Sequence, residues 1–439
     1  VNLSVSELMQ AHRFVREVEE NEVSEFETYQ MIVSLSELEL SPSEIDVGIL
    51  AASYLLDDKG LDLDLFVQNA VKDLIGKKGS ILEKAQDVVL YGFGRIGRLL
   101  TRLLVEDSGG GDNLLLKAIV VRQTGKDDLI KRANLMRTDS VHGSFKGTVR
   151  VVREDDMLII NGNEVKVIYA DSPNNIDYSK HGINNALLID NTGVWRDKKS
   201  LKQHLDCKGI SKVLLTAPGK EGIKNIVHGI NNSSKTSNDR ILGAASCTTN
   251  AIVPVLKLIS DKFGIDSGHI ETVHAYTNDQ NLIDNYHKGD RRGRSAPLNM
   301  VITSTGAVEA VTKAIPELKD KLTGNAIRVP TPNVSLAVLV LNLRKSIDRD
   351  NLNIFLKTSA FESKYREIIG YTNSHEAVST DFYSSPFATI IDSQATIAEG
   401  KQITLYCWYD NEFGYSKQVL NLTKKISSIE LTRFPLPIE

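Results

Sequence analysis

A glycine-rich segment restricts the folds open to this chain more than any other feature of its sequence. Gly92, Gly94 and Gly97 follow the pattern G-x-G-x-x-G, after a short apolar run at 87–91 and before a helical pattern that reaches residue 104. In a strand–loop–helix unit, the first glycine allows a tight turn, the second lets a pyrophosphate approach the backbone, and the third lets the helix pack on the strand. The segment predicts a dinucleotide-binding βαβ unit, with a glycine turn in another α/β protein as the alternative.

Apolar runs along the rest of the chain extend this alternation of strands and helices. Strands are predicted at 115–121, 149–152, 187–190, 213–215, 335–343 and 403–409. Helical segments separate several of them, and a final helix is predicted over 416–427. Strands that alternate with helices form a mostly parallel sheet, so the sequence predicts an α/β fold.

The N-terminal part of the chain shows helical spacing and no cluster of catalytic residue types. Apolar side chains recur at helical intervals within 5–15 and 26–35. Residues 41–44 (Ser-Pro-Ser-Glu) have capping-box spacing with proline at the first helical position, which predicts the start of a third helix. A fourth helix is predicted to end near Gly76. We therefore expect residues 1–84 to form an all-helical extension.

Charge, hydropathy and cysteine content narrow the class of protein. The 52 basic and 56 acidic side chains give a formal charge of -4, which provides no overall attraction to nucleic acid or to an anionic membrane. No apolar run approaches the roughly 18 residues that a spanning helix needs, and no secretory signal pattern is visible. Cys207, Cys247 and Cys407 are odd in number and far apart, which favours a reducing compartment. We expect a cytoplasmic protein without membrane or nucleic-acid partners.

The end of the second predicted strand bears on the choice of cofactor. In a dinucleotide-binding unit, a carboxylate at this point bonds the ribose hydroxyls and disfavours a 2′-phosphate. Residues 118–123 read Ala-Ile-Val-Val-Arg-Gln and contain no carboxylate. Arg122 either faces a 2′-phosphate or lies in a solvated loop, so the sequence leaves both NAD and NADP open.

A cysteine and a histidine are the candidate catalytic groups. Cys247 lies where a loop enters a helix predicted to begin near Ala251, and the field of a helix N-terminus favours the thiolate. His274 lies at the end of a predicted strand, where it can stabilise a thiolate and transfer protons. A buried inert cysteine and a structural histidine are the alternatives.

Seven motifs, in this order along the chain, resemble those of phosphorylating glyceraldehyde-3-phosphate dehydrogenases. They are GFGRIGR at 92–98, DSVHG at 139–143, SCTTN at 246–250, HAYTNDQ at 274–280, TSTG at 303–306, RVPTPNVS at 328–335 and YDNEFGY at 409–415. The resemblance covers about residues 86–430, which is everything except the N-terminal block. It implies a Rossmann NAD(P)-binding domain at 85–245, an α+β catalytic domain at 246–411, and a C-terminal helix within 412–439 that returns to the Rossmann domain.

The resemblance also implies a reaction, its substrates and its catalytic residues. Cys247 attacks the aldehyde of glyceraldehyde 3-phosphate, His274 accepts the hydroxyl proton, and inorganic phosphate cuts the resulting thioester. The family's ligands for the two anions map onto Thr277 and Arg328, and onto Ser246, Thr248, Arg292, Thr305 and Gly306. Family members suggest a homotetramer without a metal site, and the sequence does not distinguish glycolysis from gluconeogenesis.

The resemblance also implies a set of residues that hold the cofactor. The set is Gly92, Gly94, Arg95, Ile96, Gly97, Arg122, Thr216, Asn411 and Tyr415. Asn285 and Tyr286 stand where NAD-preferring members commonly carry Leu-Pro, a departure that agrees with the missing carboxylate. We therefore expect the enzyme to use NAD or NADP, and to tolerate both.

Two alternatives remain at this level. A related pocket serves erythrose 4-phosphate, so a dehydrogenase for that aldehyde is the closest rival within the enzyme class. A regulatory or scaffold role carried by the N-terminal extension is the rival from another class. The set of Cys247, His274 and Arg328 favours an active enzyme and does not exclude such a second role.

Overall fold

The computed structural model describes most of the chain, and the statements below concern the described residues. These are 8–9, 12, 23–56, 60–76, 81–108, 112–220, 222–232, 239–289, 291–429 and 431–436. The chain forms two compact units. The N-terminal unit comprises Val1–Lys84 together with Ile429–Glu439, and the main unit comprises Ala85–Ser428.

The N-terminal unit is built mainly from short helices around a core of its own. Its described elements are α1 (Glu25–Ser36), β1 (Ser43–Ile45), α2 (Val47–Leu55) and α3 (Leu63–Ala70), followed by a 3₁₀ turn at Lys72–Leu74. Met31, Leu50 and Val67, one from each helix, are almost completely buried in one cluster. The amphipathic spacing predicted for 26–35 and the helix end before Gly76 agree with these elements. Of the helix predicted at 5–15, only Leu8, Met9 and His12 are described, and the rest lies outside the described residues.

A nine-stranded sheet forms the first half of the main unit. Its elements in chain order are β2 (Gln86–Tyr91), α4 (Arg95–Glu106), β3 (Leu114–Val121), α5 (Asp128–Arg137), β6 (Val149–Val152), β7 (Met157–Ile160), β8 (Asn163–Tyr169), β9 (Ala186–Asp190), α6 (Lys198–Leu205), β10 (Ile210–Leu215), β11 (Lys224–Asn225) and β12 (Ile241–Gly243), with β4 (Thr138–Asp139) and β5 (Gly143–Ser144) as a separate pair. The order β8-β3-β2-β9-β10-β12 is parallel throughout. This is the Rossmann arrangement predicted from the glycine motif, and its strand order reverses between β2 and β9.

An eight-stranded mixed sheet forms the second half. Its elements are α7 (Cys247–Phe263), β13 (Ile265–Ala275), β14 (Val301–Thr303), α8 (Ala307–Ala314), β15 (Leu322–Val329), β16 (Ser335–Leu343), α9 (Arg349–Glu362), β17 (Ile369–Thr372), β18 (Thr389–Asp392), β19 (Ile397–Glu399), β20 (Gln402–Tyr409) and α10 (Phe413–Ile426). The sheet order is β14-β15-β13-β16-β20-β18-β17, with β19 on β20. Alternate side chains of β16 are buried, and the strand has the bounds predicted from the apolar run at 335–343.

The pairing of the two ends of the chain shows that two predictions are wrong. A last strand, β21 (Thr432–Phe434), pairs in parallel with β1, so the extension is not all-helical and residues 41–44 do not begin a helix. Helix α2 begins instead at Val47, because the Asp46 carboxylate accepts the Ile49 N–H at 3.0 Å and so satisfies a free donor at the helix start.

The C-terminal segment, predicted to return to the Rossmann domain, divides between the two compact units at residue 428. Helix α10 packs against α4, and Lys424 forms an ion pair of 2.6 Å with Asp107 at the end of that helix. Beyond Ser428 the chain leaves the main unit and joins the N-terminal unit, because strand β1 provides the hydrogen-bonding partner for β21.

Within the described ranges, no helix combines the length and the apolar character needed to cross a membrane. The same part of the chain contains no cluster of three or more His, Cys, Asp or Glu side chains arranged to hold a metal ion.

Candidate active site

The glycine motif forms the turn between β2 and α4 at the carboxyl edge of the parallel sheet. Gly92 has a φ of 107°, which only glycine adopts without strain. A Cβ on Gly97 would lie 2.5 Å from the Gly92 carbonyl oxygen, so the absence of a side chain lets α4 pack on the turn. Nothing lies within 4 Å of a Cβ built on Gly94. The backbone is therefore open to a ligand at Gly94, and the free N–H groups of Arg95 and Ile96 begin α4 there.

A cavity of about 400 Å³ adjoins this turn. Its lining includes the apolar side chains of Val120, Val121, Ala170, Val194 and Trp195. Two charged side chains line it, Arg122 and Arg132, and no carboxylate does. Arg122 is exposed and forms no hydrogen bond or ion pair through its guanidinium within the described residues. The open backbone, the helix N-terminus and the apolar walls fit an adenine dinucleotide.

The candidate nucleophile is the first residue of helix α7. The helix begins at Cys247, four positions earlier than the sequence indicated, because the Ser246 hydroxyl accepts the Thr249 N–H at 3.1 Å and caps it. Ala245 precedes the cap with a φ of 55°, an unusual value for a residue with a side chain. The Cys247 side chain therefore lies at the positive end of the helix.

Cys247 faces the second candidate, His274, which ends strand β13. The Cys247 Sγ is 3.5 Å from the His274 Nε2. The Nδ1 of the same ring is 2.7 Å from the carbonyl oxygen of Ala275, which can only accept a hydrogen bond. The Arg328 Nη1 is also 3.1 Å from this Nδ1, but its two protons are accepted by the Ala275 carbonyl and the Thr277 hydroxyl. We therefore assign the ring proton to Nδ1, which leaves the Nε2 lone pair directed at the sulfur.

Burial and a neighbouring cation set the protonation of this pair. Burial, and to a lesser extent the Arg328 cation, lower the pKa of His274 to about 3, so the ring is neutral at ordinary pH. Burial raises the pKa of the Cys247 thiol, whereas Arg328 and hydrogen bonds from Thr248 act in the opposite direction. A neutral imidazole is therefore available as a proton acceptor beside the sulfur.

Arg328 and Thr277, both predicted to bind the substrate phosphate, lie next to this pair. Arg328 is directly opposite His274 in the parallel pairing of β13 with β15. Its Nη1 donates to the Thr277 hydroxyl at 3.1 Å and to the Ala275 carbonyl at 3.0 Å. Its Nε is buried and has no hydrogen-bond partner among the described residues. A half-buried guanidinium with an unused donor suits an incoming phosphate oxygen.

Asp279, which the sequence analysis did not select, connects the two groups of predicted anion ligands. One carboxylate oxygen accepts the Thr277 hydroxyl, and the other is 2.9 Å from the Arg292 Nη1. Arg292 also donates to the hydroxyl of Thr303 at 3.3 Å. Asp279 belongs to the motif HAYTNDQ, as does Thr277, but its other partner, Arg292, lies on a different segment.

The remaining predicted phosphate ligands lie at two helix N-termini. Ser246 caps α7, and the Thr248 hydroxyl is 3.0 Å from that of Tyr409. Gly306 precedes α8, and the Thr305 hydroxyl accepts the Ala307 N–H at 3.1 Å. Among the described residues, no hydrogen bond joins Thr305 or Gly306 to Arg292 or to the α7 group.

The predicted nicotinamide-side residues lie around the cysteine loop and the end of β10. The Thr216 hydroxyl donates to the Asp190 carbonyl at 3.3 Å. The Asn411 side-chain oxygen accepts the Ser335 hydroxyl at 2.9 Å, and that hydroxyl accepts the Ala275 N–H, next to His274. The Tyr415 hydroxyl donates to the Ala245 carbonyl at 3.0 Å. Asn411 and Tyr415 are thus tied to the segments that carry the histidine and the cysteine.

The side chain of Arg95 has a role that the sequence did not indicate. Its guanidinium forms ion pairs with Glu412, at 2.5 Å, and with Asp139, at 3.1 Å. Asp139 and Glu412 both occur in the quoted motifs, and they occupy the guanidinium. We therefore expect Arg95 to contribute to a cofactor site through its backbone N–H.

Comparisons with known proteins agree with this geometry. Residues 86–198 match the family model of the glyceraldehyde 3-phosphate dehydrogenase NAD-binding domain, and residues 246–411 match that of the C-terminal domain. A glyceraldehyde-3-phosphate dehydrogenase-like protein of Pseudomonas aeruginosa is 53% identical over 437 residues, which cover 99% of this chain and 95% of that protein. This match includes the N-terminal unit.

Relatives that match a shorter part of the chain carry the same family name. Glyceraldehyde-3-phosphate dehydrogenase of Zymomonas mobilis is 36% identical over 345 residues, 78% of this chain and 99% of that protein. Glyceraldehyde-3-phosphate dehydrogenase 1 of Bacillus subtilis is 37% identical over 345 residues, 78% of this chain and 98% of that protein. The chain belongs to the glyceraldehyde-3-phosphate dehydrogenase family.

Proposed function

We propose that the protein catalyses the phosphorylating oxidation of glyceraldehyde 3-phosphate to 1,3-bisphosphoglycerate, with NAD or NADP as the electron acceptor. The observation that carries the proposal is the 3.5 Å approach of the Cys247 Sγ to the His274 Nε2, beside the Arg328 guanidinium. A nucleophile, a neutral base and a phosphate-binding cation in one place suit the oxidation of a phosphorylated aldehyde.

The first step is the addition of the thiol to the aldehyde. The Cys247 sulfur attacks the carbonyl carbon, and the unprotonated His274 Nε2 takes the thiol proton and passes it to the carbonyl oxygen. The product is a thiohemiacetal, and the imidazole is neutral again. The bond from His274 to the Ala275 carbonyl holds the tautomer that this transfer requires.

The second step converts the thiohemiacetal into a thioester. His274 accepts the hydroxyl proton while the carbon loses its hydrogen with the bonding electrons. NAD or NADP, when bound, supplies the acceptor for this hydride. The residues that would hold it are the glycine turn, the Arg95 and Ile96 N–H groups, Thr216, Asn411 and Tyr415.

The third step releases the product. Inorganic phosphate attacks the thioester carbonyl, the bond from carbon to sulfur breaks, and the proton held by His274 returns to the thiolate. The proposed ligands of this phosphate are Ser246, Thr248, Arg292, Thr305 and Gly306. Two helix N-termini and a guanidinium support this assignment because each favours an anion.

The assignment of the substrate phosphate rests on Arg328 and Thr277. Arg328 donates to the Thr277 hydroxyl, and its buried Nε has no partner among the described residues. The lining of the cavity beside the glycine turn supports the use of NADP as well as NAD, because Arg122 lines it and no carboxylate does.

We also propose that the enzyme works in the cytoplasm as a homotetramer. The segment 282–300 supports self-association because Leu282, Tyr286, Leu298 and Met300 expose at least three quarters of their surface. Sedimentation of the purified full chain tests the assembly, and a monomer at micromolar concentration would contradict it.

One kinetic experiment tests the reaction. Reduction of NAD and of NADP is measured separately with glyceraldehyde 3-phosphate and with erythrose 4-phosphate, each with and without inorganic phosphate. We expect phosphate-dependent turnover, with the larger specificity constant for glyceraldehyde 3-phosphate. A larger constant for erythrose 4-phosphate would favour the rival dehydrogenase. Absence of turnover with both aldehydes would overturn the proposal and favour a role carried by the N-terminal unit.

A further inference from the structure

The cavity beside the glycine turn has a second guanidinium, which the sequence analysis did not select. Arg132 lies on helix α5, ten positions beyond Arg122, and both side chains line the cavity. All the other lining residues are uncharged. Two cations at the wall of a site without a carboxylate suit a ligand group that carries a double negative charge.

Asp128 fixes the orientation of the Arg132 side chain. The Arg132 Nε donates to one oxygen of the Asp128 carboxylate, and the Nη2 donates to the other at 3.0 Å. The Nη2 also donates to the Arg122 carbonyl at 2.8 Å. The Nη1 has no hydrogen-bond partner among the described residues. The guanidinium is thus held on one side, and two of its N–H donors remain for a ligand.

Asp128 is itself held by the loop that follows strand β3. The residue is 4% exposed, and its carboxylate accepts the Thr124 N–H at 3.1 Å and the Thr124 hydroxyl. Burial works against ionisation, but hydrogen bonds from Arg132 and Thr124 lower the pKa of Asp128 below its ordinary value. Asp128 does not line the cavity. This carboxylate therefore supports an arginine and is not placed to accept a hydrogen bond from a ribose hydroxyl.

We propose that Arg132, oriented by Asp128, forms with Arg122 a subsite for a phosphomonoester on the adenosine ribose, the 2′-phosphate of NADP. The subsite rests on the proposed use of an adenine dinucleotide at the glycine turn. Arg132 determines cofactor specificity by contact, and Asp128 is a positioning residue that acts through Arg132. Because Arg132 is already held in place, it loses less side-chain entropy on binding than the exposed Arg122.

The test measures binding of adenosine fragments to the full chain, so it does not depend on turnover. The probes are 2′,5′-ADP and 5′-ADP, which differ by the 2′-phosphate, and affinity is determined by titration calorimetry. We expect wild-type protein to bind 2′,5′-ADP at least about tenfold more tightly than 5′-ADP, as expected for one or more charge-assisted hydrogen bonds. Equal affinity for the two probes would overturn the subsite.

Single substitutions then test which residues produce the preference for 2′,5′-ADP over 5′-ADP. Arg132→Gln should remove most of the preference for 2′,5′-ADP and leave the affinity for 5′-ADP within about twofold, and Arg122→Gln should remove a smaller part. Lys131→Gln is the matched control, because it removes the same charge from an exposed neighbouring position that does not line the cavity. An Arg132→Gln variant that keeps the full preference would overturn the role of Arg132.

A double-mutant comparison tests the role of Asp128. Asp128→Asn should reduce the preference for 2′,5′-ADP, and adding it to Arg132→Gln should cause no further loss, because both changes act on one guanidinium. Losses that add would contradict positioning through Arg132. If Arg132→Gln does not fold, Arg132→Lys keeps the charge without the two-pronged contact and should retain only part of the preference.

The outcomes also separate this subsite from the proposed reaction. Protein that prefers 2′,5′-ADP but does not oxidise glyceraldehyde 3-phosphate supports the subsite and contradicts the reaction. Protein that oxidises the aldehyde with NAD but shows no preference between the two probes supports the reaction and overturns the subsite.

Discussion

The Cys247 Sγ lies 3.5 Å from the His274 Nε2, although the two residues belong to different elements, the start of helix α7 and the end of strand β13. Neither element alone produces the pair. The hydroxyl of Ser246 fixes where the helix begins, and the pairing of β13 with β15 and β16 fixes where the histidine lies. Substitutions at the two positions should therefore have separable effects.

Replacing the nucleophile should abolish the reaction. Cys247→Ser is expected to lower kcat by at least about a thousandfold, because a serine hydroxyl is scarcely ionised near neutral pH and its neighbour is a weakly basic imidazole. Steady-state reduction of the cofactor measures the effect. Cys407→Ser, which alters a completely buried thiol away from His274, is the control and should retain activity if the variant folds. Near wild-type turnover by Cys247→Ser would contradict the mechanism.

The low pKa of His274 should make stability depend on pH. The folded protein holds this ring with a pKa of about 3, whereas the ordinary value is 6.5. The unfolded chain therefore binds the proton more strongly, so the contribution of neutral His274 is complete above 6.5 and is lost as the pH falls from 6.5 towards 3. Between pH 6.5 and 4.5 the loss should be about 2–3 kcal/mol.

Urea unfolding of wild type and of His274→Asn at these two pH values measures that contribution. The variant should lose less stability than wild type over the interval. His269→Asn is the matched control, because it makes the same substitution on the same strand at a side chain that is 40% exposed. The same slope in wild type and His274→Asn would show that the ring is not protected from protonation.

Asp279 should affect the binding of both anions. Its carboxylate accepts the Thr277 hydroxyl and pairs with Arg292, so Asp279→Asn removes a charge that orients one proposed ligand of each phosphate. We expect the KM values for the aldehyde and for inorganic phosphate each to rise about five- to thirtyfold. Asp284→Asn, which alters a mostly exposed ion pair with Arg294, should change neither value by more than about twofold. A change in only one KM would place Asp279 in a single pocket.

The sequence predicted best those elements whose own residues carry a clear hydrophobic or glycine pattern. The apolar run at 335–343 located β16 with the observed bounds, and the glycine spacing predicted the βαβ unit that the structure confirms. The predicted helix start at 41–44 is wrong because a local capping pattern competes with the pairing of Ser43 and Thr432. The partner strand lies at the opposite end of the chain, where a local pattern contains no information about it.

The contacts between side chains were the feature of the site that the sequence predicted least well. Arg95 was selected for its place in the glycine turn, yet its guanidinium binds Glu412, 317 positions away. Arg132 has no motif of its own, and it lines the cavity where its side chain bonds the Arg122 carbonyl in the loop after β3. Motifs therefore identified which residue types carry the chemistry, whereas the contacts that orient them required the fold.

The N-terminal unit should be removable only together with the C-terminal strand. Deleting residues 1–84 alone removes β1 and leaves β21 without its partner, which exposes the strand edge of Thr432–Phe434. Deleting residues 1–84 and 429–439 together removes the whole unit, including the ion pair of Arg433 with Glu44. We expect the double deletion to stay soluble with kcat within about threefold of wild type, because none of the proposed catalytic groups lies in the deleted parts.

The single deletion is the internal control for this prediction. It should show lower solubility, or self-association in sedimentation, since an unpaired strand is a template for pairing with another chain. Activity per folded molecule should be the same in both truncations. A double deletion that is folded by circular dichroism and assembled like wild type, but inactive with NAD and NADP, would instead place part of the N-terminal unit in the reaction.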